Sequence, residues 1–97
     1  MSDVNDLVQV LEEVRALLAA SAESDWAALT PAEVMVILNR EILALESTGR
    51  MADAVELSSL FAPTAEVQEI SMANGWSGRY IELSSRFDAA IGSRRLR

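Results

Sequence analysis

Apolar residues recur at spacings of three and four near the start of the chain, where Val4, Leu7, Val8, Leu11, Val14 and Leu18 share a stripe and Asp6, Gln9, Glu13 and Arg15 fall between them. That period predicts an amphipathic helix over about 4–20. It is lost over 21–29, which reads as a connection with Trp26 packed over the core as an anchor.

Thr30-Pro31-Ala32-Glu33 then combines a capping-box pair with proline at the first helical position, a strong start signal for a helix running to about Thr48. Its apolar residues, Val34, Met35, Val36, Ile37, Leu38, Ile42, Leu43 and Leu45, cover more than one stripe. A helix contacted on several sides has that pattern, so this one is expected to be central. Gly49 should end it.

Ala54, Val55, Leu57, Leu60 and Phe61 suggest a third helix over about 51–61, stopped at Pro63. In 65–73, Val67 and Ile70 fit a short helix while Ile70 and Met72 fit an alternating strand, and helix is the preferred reading. Asn74-Gly75 reads as a stop and Ser77-Gly78 as the start of a last helix, with Tyr80, Leu83, Phe87, Ala90 and Ile91 as its stripe. Gly92 should close that helix. The expected fold is therefore all-α, a four- to five-helix bundle-like single domain over 1–93 followed by a basic C-terminal tail over 94–97.

Composition narrows the chemistry. The 97 residues include no cysteine and no histidine, and the eight basic residues are all arginine. Thiolate ligands, a Cys nucleophile, an imidazole base and a lysine Schiff base are thereby absent. Ser58, Ser59, Ser71, Ser84 and Ser85 lack an activating partner of those types, so they read as packing or surface residues. No apolar run approaches the roughly 20 residues of a membrane span, and the acidic Met-Ser-Asp-Val-Asn-Asp start does not read as a secretory signal. The expectation is a cytoplasmic protein without cofactor or metal.

The formal net charge is −7, and removing Arg94, Arg95 and Arg97 leaves the rest of the chain at −10. Such a body repels nucleic acid and anionic membrane and is attracted to a basic surface. Its plainer explanation is solubility. Glu66, Glu69 and Glu82 raise the question of paired carboxylates or a divalent-cation site, but their spacing matches no regular ligand loop, and a solvated surface is the simpler reading. Trp76, between Gly75 and Ser77-Gly78, admits two readings, a binding anchor or a core residue.

The stretch 57–90 resembles a group of small bacterial proteins that carry Leu-Phe-Ala-Pro-Thr, then Gln-Glu, then Gly-Trp, then a helix ending in Arg-Phe-Asp. The matching positions are Leu60 to Thr64, Gln68-Glu69, Gly75-Trp76 and Arg86-Phe87-Asp88; the group's glycine after the threonine is Ala65 here. That group in turn is similar to small helical immunity proteins made against toxins of type VI secretion and related contact-dependent systems. The resemblance implies a non-enzymatic inhibitor whose partner is a cognate protein toxin with a basic active-site cleft, directed at nucleotides, NAD or nucleic acid. The implied contact surface centres on Trp76 with Glu66, Glu69 and Glu82. The alternative is a structural or adaptor protein, with a homodimer possible through surplus apolar surface on the second helix.

Overall fold

The computed structural model describes residues 3–22, 29–62 and 65–95, so Trp26, Pro63 and Arg97, cast above as an anchor, a helix stop and part of a tail, lie outside the described residues. Five helices follow in order: α1 (Asp3–Ala19), α2 (Pro31–Thr48), α3 (Ala54–Leu60), α4 (Glu66–Ala73) and α5 (Ser77–Arg95). No strand occurs among the described residues, and the segment with two periodicities is the helix α4. The all-α, single-domain expectation is met. A radius of gyration of 12.6 Å matches the roughly 13 Å of a folded chain of about 100 residues.

The start of α2 forms as its residues dictate. Thr30 Oγ1 accepts from the Glu33 amide at 3.2 Å, and Glu33 Oε1 accepts from the Thr30 amide at 3.0 Å. Gly49 ends the helix at φ 73°, a left-handed conformation in which its amide reaches the Leu45 carbonyl. Glycine adopts that region without the steric cost of a Cβ.

The central helix is α1, not α2. It lies between the other two long helices, packing on α2 along one side and on α5 along the other. Leu7, Val8, Val10, Leu11, Val14 and Leu18 are buried, a stripe wide enough to serve both neighbours. Each such side chain contributes about 1.5–3 kcal/mol on full burial. In α2 the buried stripe is Val34, Leu38, Ile42 and Leu45, whereas Val36 and Leu43, seven apart on the far side, are 68% and 66% exposed. High apolar content there reflects an uncovered face and not contact on several sides.

The short helices close the ends. Phe61, the residue capping α3, stacks on Phe87 of α5 with ring centroids 4.2 Å apart. Helix α3 begins at Ala54, later than expected, because Asp53 caps it by accepting from the Glu56 amide at 3.0 Å. Residues 52 and 53 are themselves held by Glu41, a fully buried carboxylate that accepts from the Ala52 amide at 2.8 Å and the Asp53 amide at 3.0 Å. Arg40 supplies its counter-charge at 2.9 Å and also pairs with Glu56.

Helix α5 does not stop at Gly92. It continues to Arg95, so the backbone of 94 and 95 is helical. Positive φ occurs at Gly49 and Gly75 and not at Gly92. A glycine without that left-handed turn costs a helix only about 1 kcal/mol, too little to end it unaided.

Candidate functional site

Helix α5 presents two different flanks beside its buried stripe, and they separate the acidic residues into two groups. On the flank facing α1, Arg79 makes a two-pronged pair with Glu13, with Nη2 donating to Oε1 at 2.7 Å, and also reaches Glu82 at 2.8 Å. Arg86 donates to Gln9 of α1 on that side. The Arg79 guanidinium holds the Glu13 carboxyl below its ordinary pKa, chiefly through the hydrogen bonds. Glu82 therefore belongs to a clamp between α1 and α5.

On the opposite flank, Ile81, Ser84, Ser85 and Asp88 recur at helical spacing and wall an open cleft of about 210 Å³. Gln68 of α4 faces them, and the buried rings of Phe61 and Tyr80 lie behind. The Tyr80 hydroxyl donates to the Phe61 carbonyl at 3.2 Å, which fixes the α3 end against α5. Burial pushes the Tyr80 pKa above its ordinary value; a hydrogen bond with Ser84 acts against this, and the nearby Asp88 charge adds to it. Among the described residues, Asp88 is the one formally charged member of the lining.

The outer surface of α4 continues this face. Met72, one turn beyond Gln68, is 58% exposed, and Ile81 across on α5 is 65% exposed. Glu69 is half-exposed, three residues before Met72 on the same side. Exposed apolar and acidic side chains thus stand together on α4 and α5, beside a cleft. Isolated exposed apolar residues are ordinary, but their placement around a concavity marks a candidate contact surface.

The residues singled out in the sequence are distributed unevenly over this arrangement. Glu66 and Glu69 both sit in the first turn of α4, whose N-cap, Ala65, offers no side-chain acceptor. Their negative charge there compensates the positive end of the helix dipole. Glu82 lies on the other flank of α5 and does not join them. Trp76 is half-buried at the turn between α4 and α5: its indole N–H donates to Ser21 Oγ at 2.9 Å, and its ring meets Tyr80 edge-on with centroids 6.4 Å apart. Its polar atom is thus spent within the fold.

No group of three carboxylates is arranged to hold a metal ion among the described residues. Two of the candidate serine hydroxyls are engaged with helix carbonyls, Ser71 with Gln68 at 2.7 Å and Ser59 with Glu56 at 2.8 Å. Among the described residues, no helix is long and apolar enough to cross a membrane.

Two residues carry more of the local architecture than the sequence reading assigned to them. Asp88 was placed in a motif but given no role; the spacing Ile81, Ser84, Ser85, Asp88 is the readable sign of a second organised stripe on the last helix. Glu41 falls three residues after Leu38 and four before Leu45, on the buried stripe of α2. A carboxylate at such a position must find donors, and backbone amides supply two of them. Comparisons of the chain with family models, with curated proteins and with solved structures give no match.

Proposed function

We propose that this chain is an immunity protein, a non-catalytic domain acting in the cytoplasm of the cell that makes it. In this reading it binds a cognate interbacterial toxin directed at nucleotides, NAD or nucleic acid, and blocks the toxin's basic cleft sterically. The observation that carries the reading is the face on α4 and α5 where Met72 and Ile81 are exposed beside Glu69 and Asp88. Apolar contact supplies affinity there, while the surrounding negative charge steers encounter with a phosphate-binding cleft. The net charge of −7 supports the same reading, as does the resemblance of 57–90 to a group of small bacterial proteins that is in turn similar to small immunity proteins.

Inhibition of this kind needs shape and charge and no reacting group, which suits a chain without histidine, cysteine or lysine. A standard interface takes about 800 Å² from each partner, more than the cleft alone offers, so adjoining surface of α4 and α5 is included. The test is co-expression: a toxin encoded beside this gene is induced in a susceptible cell with and without the protein. Survival together with a stable co-purifying complex supports immunity; killing that persists while the protein accumulates in soluble form refutes it.

The exposed pair Val36 and Leu43 on α2 favours a second reading, a structural or adaptor protein that pairs through this face as a homodimer. Sedimentation velocity separates the two. A dimer that dissociates when Val36 and Leu43 are both changed to serine supports the adaptor, and a monomer at high concentration removes it.

A further inference from the structure

We propose that the cleft between Phe61, α4 and α5 is a socket for one basic side chain, an arginine or lysine presented by the protein partner, with Asp88 as its counter-charge. The inference rests on the reading of this chain as a binder of a basic protein surface and names the part of the surface that takes the charge.

Size comes first. A cleft of about 210 Å³ is smaller than the roughly 300–1,000 Å³ of pockets for drug-sized ligands, and suits a single long side chain entering from outside. Its open form suits an occupant attached to another molecule.

The wall chemistry selects the charge. Among the described residues Asp88 is the one formally charged member of the lining, and Ser84 and Ser85 add hydroxyl oxygens that can accept. The Tyr80 hydroxyl is already committed to the Phe61 carbonyl. Ile81 at the rim and the ring of Phe61 behind give apolar surface on which a methylene stem can lie.

No described cation occupies the socket. The two arginines in the body of α5 turn to the other flank, Arg79 to Glu13 and Glu82, and Arg86 to Gln9. Arg40 and Arg15 are on α2 and α1, engaged with Glu41 and Asn39 respectively. An anionic ligand would meet Asp88 and an acidic body, and a purely apolar one would leave the carboxylate facing it without a partner.

The protein alone suffices for the test, with n-butylguanidinium as the probe and n-butylurea as its neutral counterpart, followed by amide chemical shifts. The expected result is saturable binding of the cation with shifts concentrated at Ile81, Ser84, Ser85 and Asp88, no comparable effect of the urea, and weakening by about threefold or more in Asp88→Asn. Glu46→Gln, on exposed α2 surface, should leave the affinity unchanged. Shifts scattered over the acidic surface without saturation, or binding unaltered in Asp88→Asn, overturn the proposal. Because no toxin is present, a negative result here leaves the co-expression experiment to judge the immunity reading, and failed rescue leaves the socket measurement standing.

Discussion

The side-chain amide of Asn74 pairs with the backbone of Ala22 as one strand residue pairs with another. Asn74 Oδ1 accepts from the Ala22 amide at 2.8 Å, and Nδ2 donates to the Ala22 carbonyl at 2.9 Å. The same Nδ2 donates to the Ile70 carbonyl at the end of α4, again at 2.9 Å. One residue thus ties the chain leaving α1 to the turn that launches α5, and the Trp76 bond to Ser21 repeats the tie one residue earlier.

Replacing Asn74 by alanine is expected to cost about 1 kcal/mol in urea unfolding, because the tie to Ala22 is lost while its two exposed backbone groups turn to water instead. Asn74→Asp should be worse at neutral pH than in mild acid. An ionised carboxylate keeps the bond to the Ala22 amide but faces two carbonyl oxygens where Nδ2 had donated.

Glu41 is expected to be the more sensitive position. Glu41→Ala removes a buried acceptor from the amides of Ala52 and Asp53 and leaves a void, for a loss of about 2–4 kcal/mol. Glu41→Gln retains one acceptor oxygen and should lose roughly half as much. Hydrogen exchange should quicken at residues 52 and 53 in both variants, which distinguishes a local release of the α3 start from general destabilisation.

The pH profile of stability should have a flat top and two named edges. With no histidine, cysteine or lysine, the chain carries no side-chain type whose ordinary pKa lies between about 6 and 9. Glu13 and Glu33 have depressed folded-state pKa values, held down by Arg79 and by the Thr30 amide respectively. Their contribution is present above the unfolded carboxyl pKa and is lost as pH falls through the folded values. Tyr80 is raised by burial, so its contribution is complete below the unfolded tyrosine pKa and is lost as pH rises through the folded one. As the single tyrosine, it can be followed directly by the tyrosinate band in the near ultraviolet. Tyr80→Phe should abolish that edge while keeping the ring in place.

Where local chemistry decides, the residues were sufficient to read the fold. Thr30, Pro31 and Glu33 specified the start of α2, Gly49 its end, and Asn74-Gly75 the turn before α5. The arrangement of the helices was not legible in the same way. Val36 and Leu43 raise the apolar content of α2 as much as buried residues do, and only packing shows that they point outward. Gly92 resembled a stop because a helix-ending glycine is recognised by its φ, which composition does not carry. The candidate face was half legible: Glu69 belongs to it, whereas Glu82 is drawn to the other flank by Arg79, a pairing made along α5 and across to Glu13. Asp88 acquires meaning only when Gln68 and Phe61 are brought opposite it.

The most direct measurement is toxin neutralisation by charge-reversed variants, scored as survival at matched protein levels. Wild-type protein and Glu46→Arg, altered on α2 away from the candidate face, are expected to rescue fully. Glu69→Arg with Asp88→Arg should lose rescue and complex formation while melting within a few degrees of wild type, since both side chains lie at the surface. Full rescue by the double reversal would contradict binding through α4 and α5, and absence of rescue by the wild type against an active toxin would contradict immunity itself.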